Sequence, residues 1–382
     1  MSDQVARQPR GEVSRPPFGE TTRSRLGETS HPRFGDTVSR RPVVTVPPPV
    51  GAVVPDPTRP YIEEQPHHLA LSENPFPPLP SVLRALNRVM AQANRYPEFL
   101  PQRLPRLIAE HDGVAPEQVI VGAGGTGVAM QILQALTVGD QIVSATPTFD
   151  GYPIMAGMLG LDFVGVPLVA GCQQLSALAD AVTDRTRLVV VCRPHNPTGT
   201  LVDADELTRF LEQVRVPVLL DEAYVEFVGA AHAVDAVDLV RRYPNVLVLR
   251  TFSKAYGLAG LRIGYAFGAA APAAQIRRLQ LPFGMNSAAV DAVRASYAAE
   301  HELRTRLARI TTEREHLRNM LRRMGFDVPR SHANFLYIND DVAARLHRAG
   351  IRAKTYPDGS ARIAVGDPES SAAVVRALRT RT

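Results

Sequence analysis

Two cysteines in 382 residues, Cys172 and Cys192, are too few for a disulfide scaffold, and no tight cluster of Cys and His suggests a metal site. No metal is therefore expected. The first residues carry no apolar core of the signal-peptide kind, so a reduced, cytoplasmic setting is the expectation. Long apolar runs are also missing. The longest uncharged stretch, Gln118 to Gly139, is broken by Gly, Thr and Gln. It reads as a glycine-rich loop entering a buried helix, not as a membrane span. The formal net charge is +5, with much of the excess between Arg7 and Arg41. That places the basicity in a tail and argues against a nucleic-acid-binding face. What is present is ordinary for a globular protein: 45% hydrophobic and 21% charged residues. The length allows two or three domains around a large core.

Residues 1–55 are rich in Pro, Gly, Ser, Thr and Arg, without apolar periodicity, and read as a disordered basic tail. A short unit recurs there as Phe18-Gly19-Glu20-Thr21, Leu26-Gly27-Glu28-Thr29 and Phe34-Gly35-Asp36-Thr37. Each copy is too short and polar to bury a face, which excludes a solenoid. Beyond the tail, continuous apolar strands alternate with helical patterns: Gln118–Val121, Gln141–Ser144, Asp162–Val166, Leu188–Cys192, Val218–Leu220 and Val246–Leu249 as strands, Val128–Leu136 and Asp203–Gln213 as helices. Strands that are apolar throughout suggest a mainly parallel sheet covered on both faces, hence a three-layer α/β/α domain. From about Asn286 one long helical stretch leads to the strands Asn334–Ile338 and Ala361–Val365 and a final helix, which reads as a smaller α+β C-terminal domain.

Four stretches carry chemistry. In Thr251-Phe252-Ser253-Lys254-Ala255-Tyr256-Gly257, after an apolar strand, Lys254 stands among hydroxyls, with Arg262 further on. Alone, a lysine is usually a solvated surface residue. Hydroxyls and an arginine make phosphate ligands, and a lysine among them can form a Schiff base with an aldehyde. Asp221 ends the strand of Val218-Leu219-Leu220-Asp221-Glu222-Ala223-Tyr224, where open α/β sheets place ligands; in isolation it reads equally as a helix cap. Arg193-Pro194-His195-Asn196-Pro197-Thr198-Gly199 is a rigid turn that fixes the Asn196 side chain, with His195 as a turn residue. Gly122 to Gly127 opens a helix whose N-terminus suits phosphate. Arg362, at the start of a short strand, can fork onto a carboxylate.

Together, in this order and from about Leu71 to the C-terminus, these motifs resemble the fold-type-I pyridoxal-5'-phosphate (PLP) aminotransferases of class I/II, in their histidinol-phosphate aminotransferase branch. Asn74-Pro75-Phe76-Pro77, Phe149-Asp150-Gly151-Tyr152 and the Lys254 stretch look most like actinobacterial aromatic amino acid (phenylalanine) aminotransferases. The resemblance implies that Lys254 bonds the cofactor as a Schiff base and carries the substrate α-proton. It implies that Asp221 pairs with the pyridine nitrogen, that Tyr224 and Asn196 bond the ring oxygen, and that Phe149 stacks on the ring. Gly125, Thr126, Thr251, Ser253 and Arg262 would bind the phosphate, with Tyr96 reaching the neighbouring subunit's phosphate in a homodimer. Arg362, Lys354 and Asn334 would meet the substrate. The implied domains are an N-terminal arm (56–85), a PLP-binding large domain (86–285) and a small domain (286–382).

The chain departs from the family pattern at Gly124-Gly125-Thr126-Gly127, where relatives carry Ser-Asp-Glu, at Ser72 for a usual Asn, and at Lys354 for a usual Arg. An ammonium keeps the charge and loses the fork. The expectation is an aromatic amino acid donor with 2-oxoglutarate as acceptor. Histidinol phosphate is the alternative donor, and decarboxylation of a phosphorylated amino acid a further one. A DNA-binding regulator built on this fold would need a winged helix that the tail does not supply. A silent scaffold would not need Lys254, Asp221, Tyr224 and Arg362 together.

Overall fold

In chain order the strands of the computed structural model are β1 (His67–His68), β2 (Val119–Ala123), β3 (Gln141–Thr146), β4 (Asp162–Pro167), β5 (Thr186–Cys192), β6 (Val218–Asp221), β7 (Val246–Thr251), β8 (Ile263–Gly268), β9 (Phe335–Ile338), β10 (Ile351–Arg352), β11 (Lys354–Thr355) and β12 (Ala361–Ala364). The structure describes residues 67–136 and 138–379. The repeated tail and the first part of the expected arm lie outside the described residues.

Seven strands form one sheet in the order β2-β8-β7-β6-β5-β3-β4, parallel except for β8. Alternate side chains of the central strands feed two cores. Val189, Val191, Leu220 and Val248 face one way, and Leu188, Val190, Leu219 and Leu249 the other. Both faces are covered by helices, so these strands are apolar at nearly every position. The expected three-layer arrangement is therefore present. The helix Ala204–Gln213 starts where expected, with Asp203 accepting from the backbone N–H groups of Asp205 and Glu206.

Two expectations are corrected. β8 is not among the strands expected from sequence, yet it is a full antiparallel strand between β2 and β7. The long helix from Asn286 is two helices, Ala289–Ala298 and Glu300–Arg323, separated at Ala299 (φ −97°, ψ 31°). The first packs on the helices Pro80–Met90 and Arg103–Asp112, the second on the C-terminal helix Pro368–Arg379. A single straight helix could not serve both neighbours.

A second, antiparallel sheet runs β11-β12-β9, with its own core of Leu336, Ile338, Ile363, Leu317 and Val374. The chain enters through β1, parallel to β10, and is stitched on by bonds from Leu69 N to Arg352 O and from Ala364 N to Leu69 O, both 2.8 Å. Residues 70–74 then cross towards the carboxyl ends of β5, β6 and β7. Phe335 of β9 meets Tyr224 edge to face at 5.1 Å, which sets the small sheet against those strand ends.

Candidate active site

The carboxyl ends of β5, β6 and β7 open into a cavity of about 340 Å³. At its floor Asp221 is buried. Its Oδ2 accepts from Tyr152 Oη at 2.6 Å and its Oδ1 from the N–H of Ala223 at 3.0 Å. Burial raises the pKa of this carboxyl, while the Tyr152 hydroxyl, the Ala223 N–H and the Lys254 charge pull it back. A carboxylate kept in this way at the bottom of a cavity calls for a cation above it.

Lys254 lies on the turn after β7. Asn74 holds that turn, donating from Nδ2 to the carbonyls of Lys254 and Ala255, each at 3.0 Å. The buried side chains of Phe252 and Ala255 pin it from below. Lys254 Nζ donates to the carbonyls of Leu71 and Ser72, each at 3.2 Å, and lies 5.6 Å from the centre of the Tyr224 ring. Burial, then the Arg362 charge, push its pKa down to about 8, against the pull of Glu73. An amine so placed is neutral in roughly a tenth to a fifth of molecules near physiological pH, far more than an ordinary lysine, as a nucleophile or proton carrier must be. Burial pushes Tyr224 up to about 12, with Arg362 opposing, so its phenol keeps its proton.

Facing Lys254 is a cradle for an anion. The helix Gly124–Ala135 points its N-terminus into the cavity, and Thr126, Thr251, Ser253 and Arg262 line the same wall. Thr251 Oγ1 donates to Ser253 Oγ at 3.0 Å, and Arg262 Nη1 reaches Ser253 Oγ at 3.4 Å. Gly124 has φ +76°, and a Cβ there would come within 2.3 Å of the Arg262 guanidinium. A Cβ on Gly264 of β8 would stand 2.3 Å from the Gly124 carbonyl carbon. Two bare glycines thus let helix, strand and guanidinium converge. Free helical N–H groups, hydroxyls and an arginine suit a phosphate dianion.

The remaining wall comes from the small sheet. Arg362 of β12 donates from Nη1 to Asn196 Oδ1 and from Nη2 to the Ala70 carbonyl, both at 2.6 Å. Its Nε is buried without a partner. Phe149 stands edge to face with Tyr152 at 5.7 Å. Lys354 Nζ pairs with Asp150 Oδ2 at 2.5 Å.

Twelve of the residues singled out from sequence line this one cavity: Gly125, Thr126, Phe149, Asn196, Asp221, Tyr224, Thr251, Ser253, Lys254, Arg262, Lys354 and Arg362. Two do not. Asn334, expected at the substrate, is fully buried beneath the arm, and its amide donates to the carbonyls of Ser72 and Glu73. Tyr96 is 84% exposed and packs on Phe283 at 4.7 Å, away from this chain's own cavity. His195 is a turn residue as read: buried, bonded to Thr198 Oγ1 at 2.9 Å, and pushed down to about 3 by burial. Sequence reading gave no role to Tyr152, Asp150, Glu73 or Tyr356, all of which line the cavity. Of the motif Phe149-Asp150-Gly151-Tyr152, the resemblance gives a role to Phe149 alone.

The site fits PLP on its own terms. The glycine-bared cradle matches a phosphate, the lysine a neighbouring aldehyde, and the buried Asp221 a protonated ring nitrogen. Comparisons with known proteins agree. The family model described as aminotransferase class I and II matches residues 66–377. The chain is 42% identical over 314 residues to an aromatic amino acid aminotransferase of Streptomyces avermitilis, covering 80% of this chain and 88% of that protein. It is 44% identical over 312 residues to one of Rhodococcus opacus, covering 79% and 87%. Among solved structures, histidinol-phosphate aminotransferase of Sinorhizobium meliloti in complex with PLP superposes with a TM-score of 0.76 at 26% identity, over 82% of this chain and 89% of that one.

Proposed function

The chain belongs to the aminotransferase class I and II family, and from that premise we propose that it moves the amino group of an aromatic amino acid to 2-oxoglutarate or a similar 2-oxo acid. PLP is the cofactor. When bound, it supplies an aldehyde to capture the amino group and an electron-withdrawing ring to weaken bonds at the α-carbon.

The protein's own residues divide the rest. Lys254 Nζ would hold the cofactor and carry the proton from the substrate α-carbon. Asp221 keeps the ring nitrogen protonated, and its burial and the Tyr152 hydroxyl hold it in line. Tyr224 and the Asn196 amide are the donors that would hold the ring oxygen. The helix starting at Gly124, with Thr126, Thr251, Ser253 and Arg262, anchors the phosphate, and Phe149 covers the ring. Arg362 takes the substrate α-carboxylate in place of its present partners. The small sheet then works as a small domain closing over the large one.

The observation carrying this reading is the convergence of Lys254, Asp221 and Arg362 in one cavity. The aromatic donor is supported by the names of the relatives at 42% and 44% identity and by the pairing of Lys354 with Asp150. Histidinol phosphate is the second reading, because Lys354 is a cation at the cavity wall and a histidinol-phosphate aminotransferase shares the fold. A donor screen decides between them. kcat/KM is expected to be higher for Phe or Tyr than for histidinol phosphate; the reverse order overturns the aromatic assignment.

We further propose a cytoplasmic homodimer. Among the described residues no helix is long and apolar enough to cross a membrane. Tyr96, Phe99 and Phe283 form an exposed apolar cluster, of the kind that protein contacts cover. Light scattering at micromolar concentration should give twice the chain mass, and Phe283→Asp should lower it; a monomeric wild type rules the dimer out.

A further inference from the structure

The chain has two lysines, Lys254 and Lys354; every other residue among its 43 lysines and arginines is arginine. Both lysines line the cavity. Three of the four cations there have roles in the reading above, namely Lys254, Arg262 and Arg362. Lys354 has none.

Its position is fixed by register. β11 and β12 are antiparallel, and Lys354 lies directly opposite Arg362. Opposite residues of such a pair share a face, with Cβ atoms about 5 Å apart. An α-carboxylate gripped by Arg362 therefore leaves Lys354 beside the departing substrate side chain. Lys354 is not free to meet it, because its Nζ is paired with Asp150 Oδ2. Asp150 belongs to the opposite wall, directly after Phe149 and before the helix Gly151–Met158. Its side chain is 55% exposed against 30% for Lys354, so it can turn out to water. The Lys354 ammonium also lies 5.6 Å from the centre of the Tyr356 ring.

We propose that Asp150 is a specificity-determining residue that competes with anionic substrate side chains for Lys354. While Asp150 holds the ammonium, the wall is neutral overall and suits an uncharged aromatic side chain. A side chain ending in carboxylate or phosphate gains Lys354 only by displacing Asp150. An amino acid donor and a dicarboxylic acceptor can thus share one cavity. A lysine suits this exchange better than an arginine, because it releases one point contact on a flexible stem, not a bidentate fork. The proposal rests on the reading in which Arg362 takes the α-carboxylate.

The test compares L-glutamate with L-phenylalanine in the holoenzyme, as single turnovers followed by the absorbance of the bound cofactor. Pairs this exposed shift equilibria by up to about fivefold. Asp150→Asn is therefore expected to raise kcat/KM for glutamate by roughly threefold to fivefold and to lower that for phenylalanine by about twofold. Lys354→Met should lower the glutamate value, and in that background Asp150→Asn should bring no further gain. An unchanged or lower glutamate value in Asp150→Asn overturns the proposal. So does a gain that persists without Lys354, because Asp150 would then act by simple repulsion. Wild type that turns over glutamate and not phenylalanine sinks the aromatic assignment, while the glutamate arm still tests Asp150.

Discussion

Arg362 and Asn196, 166 residues apart in the chain, are joined by a 2.6 Å hydrogen bond from Nη1 to Oδ1. The bond links the small sheet to the turn after β5. It occupies the acceptor of the Asn196 side chain, so what that side chain has left to offer is its amide N–H groups. The same guanidinium has a buried Nε without a partner, so it is incompletely satisfied until an anion arrives.

From this follows the first prediction. Arg362→Gln should raise KM for phenylalanine and for 2-oxoglutarate together, because the proposed function has Arg362 receive the carboxylate that both carry. A hydrogen bond to a charged group contributes about 1.5–3 kcal/mol, which corresponds to roughly tenfold to a hundredfold. Arg362→Lys should fall in between, keeping charge and losing the fork. Steady-state kinetics with both substrates check this, and an unchanged KM for either contradicts it.

A second prediction concerns pH. Only the neutral Lys254 amine attacks an aldehyde, and in the protein its pKa is lowered to about 8 from an ordinary 10.5. The neutral fraction rises with pH through the folded value and then levels. The rate at which apoenzyme takes up PLP, followed by visible absorbance, should therefore reach half its maximum near pH 8 and level off about one unit above. A rate still climbing steeply at pH 10 would mean that burial does not perturb this lysine.

How much of this could be read from sequence depended on whether the signal was local. The central strands β5, β6 and β7 were legible because burial on both faces leaves them apolar throughout. β8 was not, because Gly264 and Gly268 dilute its strand character, and Gly264 is needed where the backbone of Gly124 comes close. The break at Ala299 has no local signal either, since alanine favours helix; packing against two different neighbours imposes it. Lys254, Asp221 and Arg262 sit in recognisable motifs. Tyr152 meets Asp221 across 69 residues, and Asp150 meets Lys354 across 204. Such partners are set by tertiary approach alone. Asn334 was placed at the substrate, whereas its amide secures the arm that covers Lys254.

Asp221 supplies the third prediction. Its pKa is raised by burial, so above the unfolded carboxyl value the folded apoenzyme is destabilised by holding the charged form. Asp221→Asn removes that penalty, and its apoenzyme should melt no lower than wild type at pH 7. Turnover should nevertheless fall by roughly a hundredfold, the loss of one charge-assisted bond of about 3 kcal/mol. Calorimetry of the apoenzyme and single-turnover kinetics separate the two effects. A variant that melts lower and reacts normally would show Asp221 to be a structural residue.

The account turns on Lys254 as the residue that holds the cofactor, and reductive trapping tests this most directly. Borohydride should bleach the visible band of the holoenzyme and leave the reduced cofactor covalently attached. With only Lys254 and Lys354 in the chain, peptide mass mapping has two lysine outcomes. The mass should appear on the peptide containing Lys254, and Lys254→Ala should carry none. A label on Lys354, or no label at all, contradicts the account.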